Sequence, residues 1–253
     1  MWRKIRITIL LFILLTVAQE AWNHDGAPHW KRTLYVNLYP INADGSLAST
    51  LMIANLKNEQ FNEIKSYMEE QSAHYKLSIE MPFEFHLENE VKIRPPKQLD
   101  NNLLFNILWS LQFRFWSYVN TPKSDVKPDI KLYLLYFDPK TNPLLRHSTA
   151  LSKGRLGLVN LFANRIYLKQ NNVIIAHELL HTVNATDKYN LSNTLPYFPI
   201  GFAEPEKIPL YPQEYAELMA GRIPISESSA EIPLGLENTL IGELTAKEIG
   251  WTK

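Results

Sequence analysis

One segment, NNVIIAHELLHTVNATDKYN at residues 171–190, constrains what this chain can fold into more than any other. Its apolar residues recur at helical intervals and Asn172 can cap the start, so HELLH is predicted to lie on a helix. Residues four apart on a helix share one face, about 6 Å apart along the axis. His177 and His181 can therefore offer two imidazoles to a single divalent cation. Glu178 points to the side of that pair, within reach of a water on the ion but not of the ion itself. Two ligands do not complete a site, so the fold has to bring a third to this spot from outside the helix. For the five-residue string alone, the competing reading is a helix with two surface histidines.

The rest of the chain can build such a fold. Its 253 residues, 45% of them hydrophobic, suffice for one sizeable core or two lobes of one domain. Basic and acidic residues balance at 26 each, which gives no nucleic-acid footprint. The absence of cysteine excludes disulfides and thiolate metal sites. At the start, Arg3, Lys4 and Arg6 precede an apolar run from Ile7 to Ala18, shorter than the roughly 20 residues of a bilayer span. Residues 1–22 thus read as an export signal or an N-terminal membrane anchor. Either puts the domain outside the cytoplasmic membrane, with membrane contact through this segment only, and a bacterial envelope protein fits the lack of cysteine.

Along the chain an α/β pattern emerges. TLYVNLYPI, PFEFHLENEV, DIKLYLLYF and GRLGLVNLF read as strands, and NRIYL as a short strand before the motif. Leu56, Phe61, Ile64, Met68 and Tyr75 mark an amphipathic helix. NLLFNILWSLQFRFWSYV is apolar nearly all round and is predicted to be a buried helix. Five prolines between Leu191 and Gln213 predict an ordered loop, and LTAKEIGW a final helix.

The flanks of the motif carry a resemblance. The string from His177 through Asn184 to Asp187 is similar to the metzincin zinc-peptidase pattern HExxHxxGxxH, with Asn for Gly and Asp for the last His. Asn tolerates the positive φ that ends such a helix, and Asp is an ordinary zinc ligand, used here by the snapalysin-type members. YAELMAGRI, with Met219 before Ala220 and Gly221, resembles the family's Met-turn.

The resemblance implies an α/β (α+β) zincin fold: a twisted mixed sheet with two long helices, a zinc helix below, and a small C-terminal lobe. Residues 32–190 would form the N-terminal lobe and residues 191–253 the lobe carrying the Met-turn. It also implies a zinc-dependent endopeptidase acting on peptide or protein substrates. His177, His181 and Asp187 would bind Zn²⁺, and Glu178 would be the general base. Tyr189 and Tyr215 are candidates for oxyanion stabilisation, with ordinary packing as the competing role. A glutamate at 204, 206, 214 or 217 could instead be the third ligand, as in gluzincins, with Asp187 orienting a histidine. A non-catalytic zinc-containing peptide-binding protein is the other alternative. The substrate is expected along an exposed strand at Gly154, Leu156 and Leu158. His24, His29, His74, His86 and His147 lack ligand spacing and read as ordinary surface or core residues.

Overall fold

The computed structural model describes residues 27–97 and 103–252, with isolated positions between residues 2 and 14. Residues 1–22, expected to be an export signal or membrane anchor, lie outside the described residues apart from those positions. Among the described residues no helix is long and apolar enough to cross a membrane.

Strands β1 (Leu34–Asn42), β2 (Phe83–Leu87), β3 (Ile130–Phe137), β4 (Thr149–Leu151) and β5 (Leu156–Phe162) form a 5-stranded mixed sheet. Its order is β2-β1-β3-β5-β4, with β4 antiparallel to β5 and every other pairing parallel. Alternation along the strands feeds two cores. Val36, Leu38, Leu132, Leu134, Val159 and Leu161 face one side; Tyr39, Ile41, Tyr133, Leu156 and Leu158 face the other. Both faces are covered, which is why β1 and β3 are apolar at nearly every position.

Helices α1 (Leu47–Ala54), α2 (Asn62–His74), α3 (Leu103–Asn120), α4 (Leu168–Thr182) and α5 (Glu243–Glu248) complete the mixed α/β architecture. Ile64 and Met68 of α2 and Ile175 and Leu179 of α4 pack in the first core. That core continues into Leu218, Met219, Ile241, Ala246 and Trp251, so the C-terminal segment shares it. Trp30 ties the start of the domain to its end, donating from Nε1 to the Ile249 carbonyl at 2.6 Å. Two short pairs, β6 (Ala216–Glu217) with β9 (Thr239–Leu240) and β7 (Ile223–Ser226) with β8 (Ser229–Glu231), brace this segment. Residues 191–213 form no helix or strand, as their prolines predict.

The structure corrects four expectations. Helix α3 is not buried all round: Trp109, Phe113 and Trp116 pack on the sheet, while Phe115 and Tyr118 are exposed because no further layer of the described residues covers them. NRIYL is a 3₁₀ turn rather than a strand, since the Asn164 side chain accepts from the Ile166 N–H and winds the chain directly into α4. Asn172 consequently sits inside α4 and is no cap; its Nδ2 donates to Glu63 Oε2 at 2.6 Å.

The fourth correction concerns Gly154, Leu156 and Leu158. These residues do not form an exposed edge, because β5 is paired with β3 on one side and β4 on the other. Leu156 and Leu158 are buried. Gly157 serves packing, since a Cβ there would lie 2.6 Å from Leu132 Cδ2, and Gly154 serves a turn at φ +92°. The sheet edge on this side is the three-residue β4, too short to show alternation in the sequence.

Candidate metal centre

Helix α4 ends where the sequence predicts. Asn184 has φ 90°, its N–H donates to the His181 carbonyl at 3.2 Å, and the Ala185 N–H to the Leu180 carbonyl at 3.0 Å. This is a Schellman ending with asparagine in the left-handed position usually held by glycine. A β-branched residue there is strained by about 1–2 kcal/mol. Asn184→Gly is therefore expected to keep the urea midpoint and Asn184→Val to lower it; equal midpoints would show that the turn does not hold this backbone.

The turn sends the chain back under the helix and delivers Asp187. Its Oδ1 stands 3.2 Å from His177 Nε2 and 3.1 Å from His181 Nε2, and the two Nε2 atoms are 3.0 Å apart. Three candidate ligand atoms thus form a nearly equilateral triangle. Both imidazoles are oriented from behind by carbonyls: Leu218 O lies 2.9 Å from His177 Nδ1, and Ala185 O lies 2.8 Å from His181 Nδ1. In the neutral tautomer that donates Nδ1–H to these carbonyls, each Nε2 would turn a lone pair to the centre. Burial pulls the His177 imidazolium down, but the Asp187 carboxylate, the charge of Glu178 and the Leu218 carbonyl more than offset it, to about 9. Burial likewise raises the Asp187 carboxyl, and its bonds to His177 and His181 take it far below the usual carboxylate range. Such a trio favours positive charge at its centre.

Glu178 lies beside the triangle. Its ligand atom falls with those of His177 and His181 inside 4.8 Å, the one cluster among the described residues with the makings of a metal site. It is buried, and Oε2 has no hydrogen-bond partner. Burial pushes its carboxyl above the ordinary range, against the pull of the two histidines. A buried carboxylate oxygen without a partner is costly unless something in the cleft uses it.

Met219 is fully buried in a tight turn. The Ala220 and Gly221 N–H groups donate to the Glu217 carbonyl at 2.9 and 3.0 Å, and Gly221 has φ +68°. The same turn presents Leu218 O to His177. Glu217 is not free to bind an ion: Oε1 accepts from Gly242 N and Thr245 Oγ1, and Oε2 from Ala220 N. Glu204 accepts from the Glu214 N–H, Glu214 pairs with Lys207 at 3.2 Å, and Glu206 is exposed. None of the four glutamates lines the cleft, so the gluzincin alternative has no ligand in place.

The structure separates the two tyrosines. Tyr189 lines the cleft with its hydroxyl pushed up to about 12 by burial, then by the charges of Asp187 and Glu178, so it keeps its proton and can donate a hydrogen bond at neutral pH. Tyr215 does not line the cleft. Edge strand β4 borders the same space of about 260 Å³ through Thr149 and Ala150. His147 lies there too, although no spacing in the sequence marks it as a site residue.

Sequence reasoning also missed what anchors the Asp187 loop. Glu248, at the end of α5, accepts from Thr186 N at 2.9 Å, from Thr186 Oγ1 at 2.7 Å and from Lys188 Nζ at 2.6 Å. Both neighbours of Asp187 are therefore held by one carboxylate, and the Lys188 side chain is only 1% exposed.

No model of a known protein family matches the chain, and no curated protein matches it. What it does has to be read from its own side chains.

Proposed function

We propose that the protein is a zinc-dependent endopeptidase of the metzincin type. The observation that carries this reading is the triangle of His177, His181 and Asp187 atoms with the partnerless, buried Glu178 oxygen beside it. The mixed sheet above α4, the helix ended at Asn184 and the buried turn at Met219 support the metzincin arrangement.

His177, His181 and Asp187 would hold Zn²⁺, which supplies Lewis-acid polarisation of a carbonyl and lowers the pKa of water. Glu178 does the proton work. Its burial makes the carboxylate a stronger base than an exposed one, and it accepts a proton from the attacking water and returns it to the leaving amine. Tyr189 donates its phenolic hydrogen bond toward the oxygen that gains charge. Strand β4 offers the backbone edge along which an extended peptide can pair. A zinc-containing module that only binds peptides has no use for a buried general base, and this weighs against the non-catalytic alternative.

The test is digestion of a mixed peptide library by the protein as purified, after metal stripping, and after zinc is restored. Hydrolysis is expected to vanish and return, with one zinc per chain. Asp187→Ala is expected to lose most of that zinc. Retention of full zinc by Asp187→Ala would remove it as a ligand. No cleavage by zinc-loaded wild-type protein would refute the peptidase reading.

A further inference from the structure

A larger cavity, about 600 Å³, opens beside the cleft and shares His147 and Thr149 with it. Its floor is apolar, built from Ile41 of β1, Leu135 and Phe137 of β3, and Leu158 of β5. Trp109 of α3 forms a wall and is fixed there by donation from Nε1 to the Pro96 carbonyl at 2.8 Å. The rim carries Arg94, Lys97 and Arg146, and no carboxylate among the described residues lines the space. None of these cations belongs to an ion pair among the described residues. In a chain with 26 basic and 26 acidic residues, three cations around an apolar pocket are a local segregation of charge, not a reflection of the average.

We propose that this cavity selects peptide substrates in which a bulky apolar side chain is flanked by acidic residues. The inference rests on the peptidase reading above, since the cavity adjoins the cleft of that site. A chain lying along β4 passes Thr149, which belongs to both spaces. An apolar side chain entering there covers the floor, while neighbouring carboxylates meet Arg94, Lys97 and Arg146. Guanidinium groups pair with carboxylates through two parallel hydrogen bonds, so Arg94 and Arg146 give directional recognition as well as charge.

Binding is measured with zinc-loaded Glu178→Ala protein, so that no cleavage is needed. Fluorescein-labelled peptide pools in which Phe or Leu is flanked by Glu are compared, by anisotropy, with pools flanked by Gln. The acidic pool is expected to bind about tenfold or more tightly at low salt, with the preference shrinking as salt is added. Arg94→Gln/Arg146→Gln in the same background should abolish the preference, weakening the acidic pool far more than the Gln pool. Both side chains belong to exposed residues, and a melting curve checks that the fold is kept. Equal affinity for the two pools, or no saturable binding of the acidic one, would overturn the proposal. So would displacement of neither pool together with tight binding of dodecanoate, which would assign the cavity to free amphiphiles. Acid-selective binding without wild-type hydrolysis sinks only the peptidase reading, and hydrolysis without acid preference sinks only this one.

Discussion

Glu178→Ala is expected to keep one zinc per chain and to lose turnover by about 10²–10⁴-fold, toward the upper end. Zinc is retained because the triangle of His177, His181 and Asp187 is intact and the Nδ1 contacts to Leu218 and Ala185 do not involve Glu178. Turnover collapses because no other carboxylate with a free, buried oxygen faces the cleft among the described residues. The melting temperature should not fall. Glu178 is buried with an oxygen that has no hydrogen-bond partner, so its removal relieves a desolvation cost, which separates a catalytic loss from a folding one. Because burial holds its carboxyl above the ordinary range, wild-type activity should decline on the acid side at a higher pH than for an exposed glutamate. Equal peptide cleavage by both proteins at equal zinc content would take Glu178 out of the mechanism.

Glu248→Ala is expected to damage the site from a distance. The substitution deprives the buried Lys188 ammonium of its ion-pair partner and strips Thr186 of the acceptor for its N–H and hydroxyl. Breaking a buried pair on one side costs about 3–5 kcal/mol, and the loss falls on the loop that delivers Asp187. Zinc affinity should therefore fall together with stability, although Glu248 touches no candidate ligand. Glu248→Gln keeps an acceptor for Thr186 and should recover part of both. Burial raises the Glu248 carboxyl, but Lys188 and Thr186 together hold it below its ordinary value. A depressed carboxylate stabilises the fold above its unfolded pKa, near 4.5, and that contribution is lost as pH falls through the folded value. Urea titrations of both variants with zinc titrations at neutral pH decide the matter; unchanged zinc affinity in a destabilised Glu248→Ala would reduce the contact to a structural one.

Much of the site was legible in the sequence because it is encoded within one helix and the turn after it. The spacing of His177 and His181 is set by helical geometry, and the reversal at Asn184 by the few residues that accept a positive φ. Asp187 lies close enough in the chain to that turn for local geometry to bring it home. The parallel strands were legible too, since burial on both faces demands continuous apolar runs. Edge strand β4 was not, because three residues carry no periodicity and its place depends on pairing with β5. Nor was α3 rightly read: an all-apolar helix does not say which neighbours it lacks, and exposure of Phe115 and Tyr118 is decided by how many layers are built. His147, the cationic cavity and the Glu248 clamp join segments far apart in the chain, Ile41 with Asn160 and Lys188 with Glu248 among them, and no local pattern records such meetings. The sequence by itself therefore determined the candidate ligands and the candidate base, whose geometry is local. Only the tertiary structure decided what surrounds them, because long-range contacts are chosen by packing of the whole core rather than by neighbours along the chain.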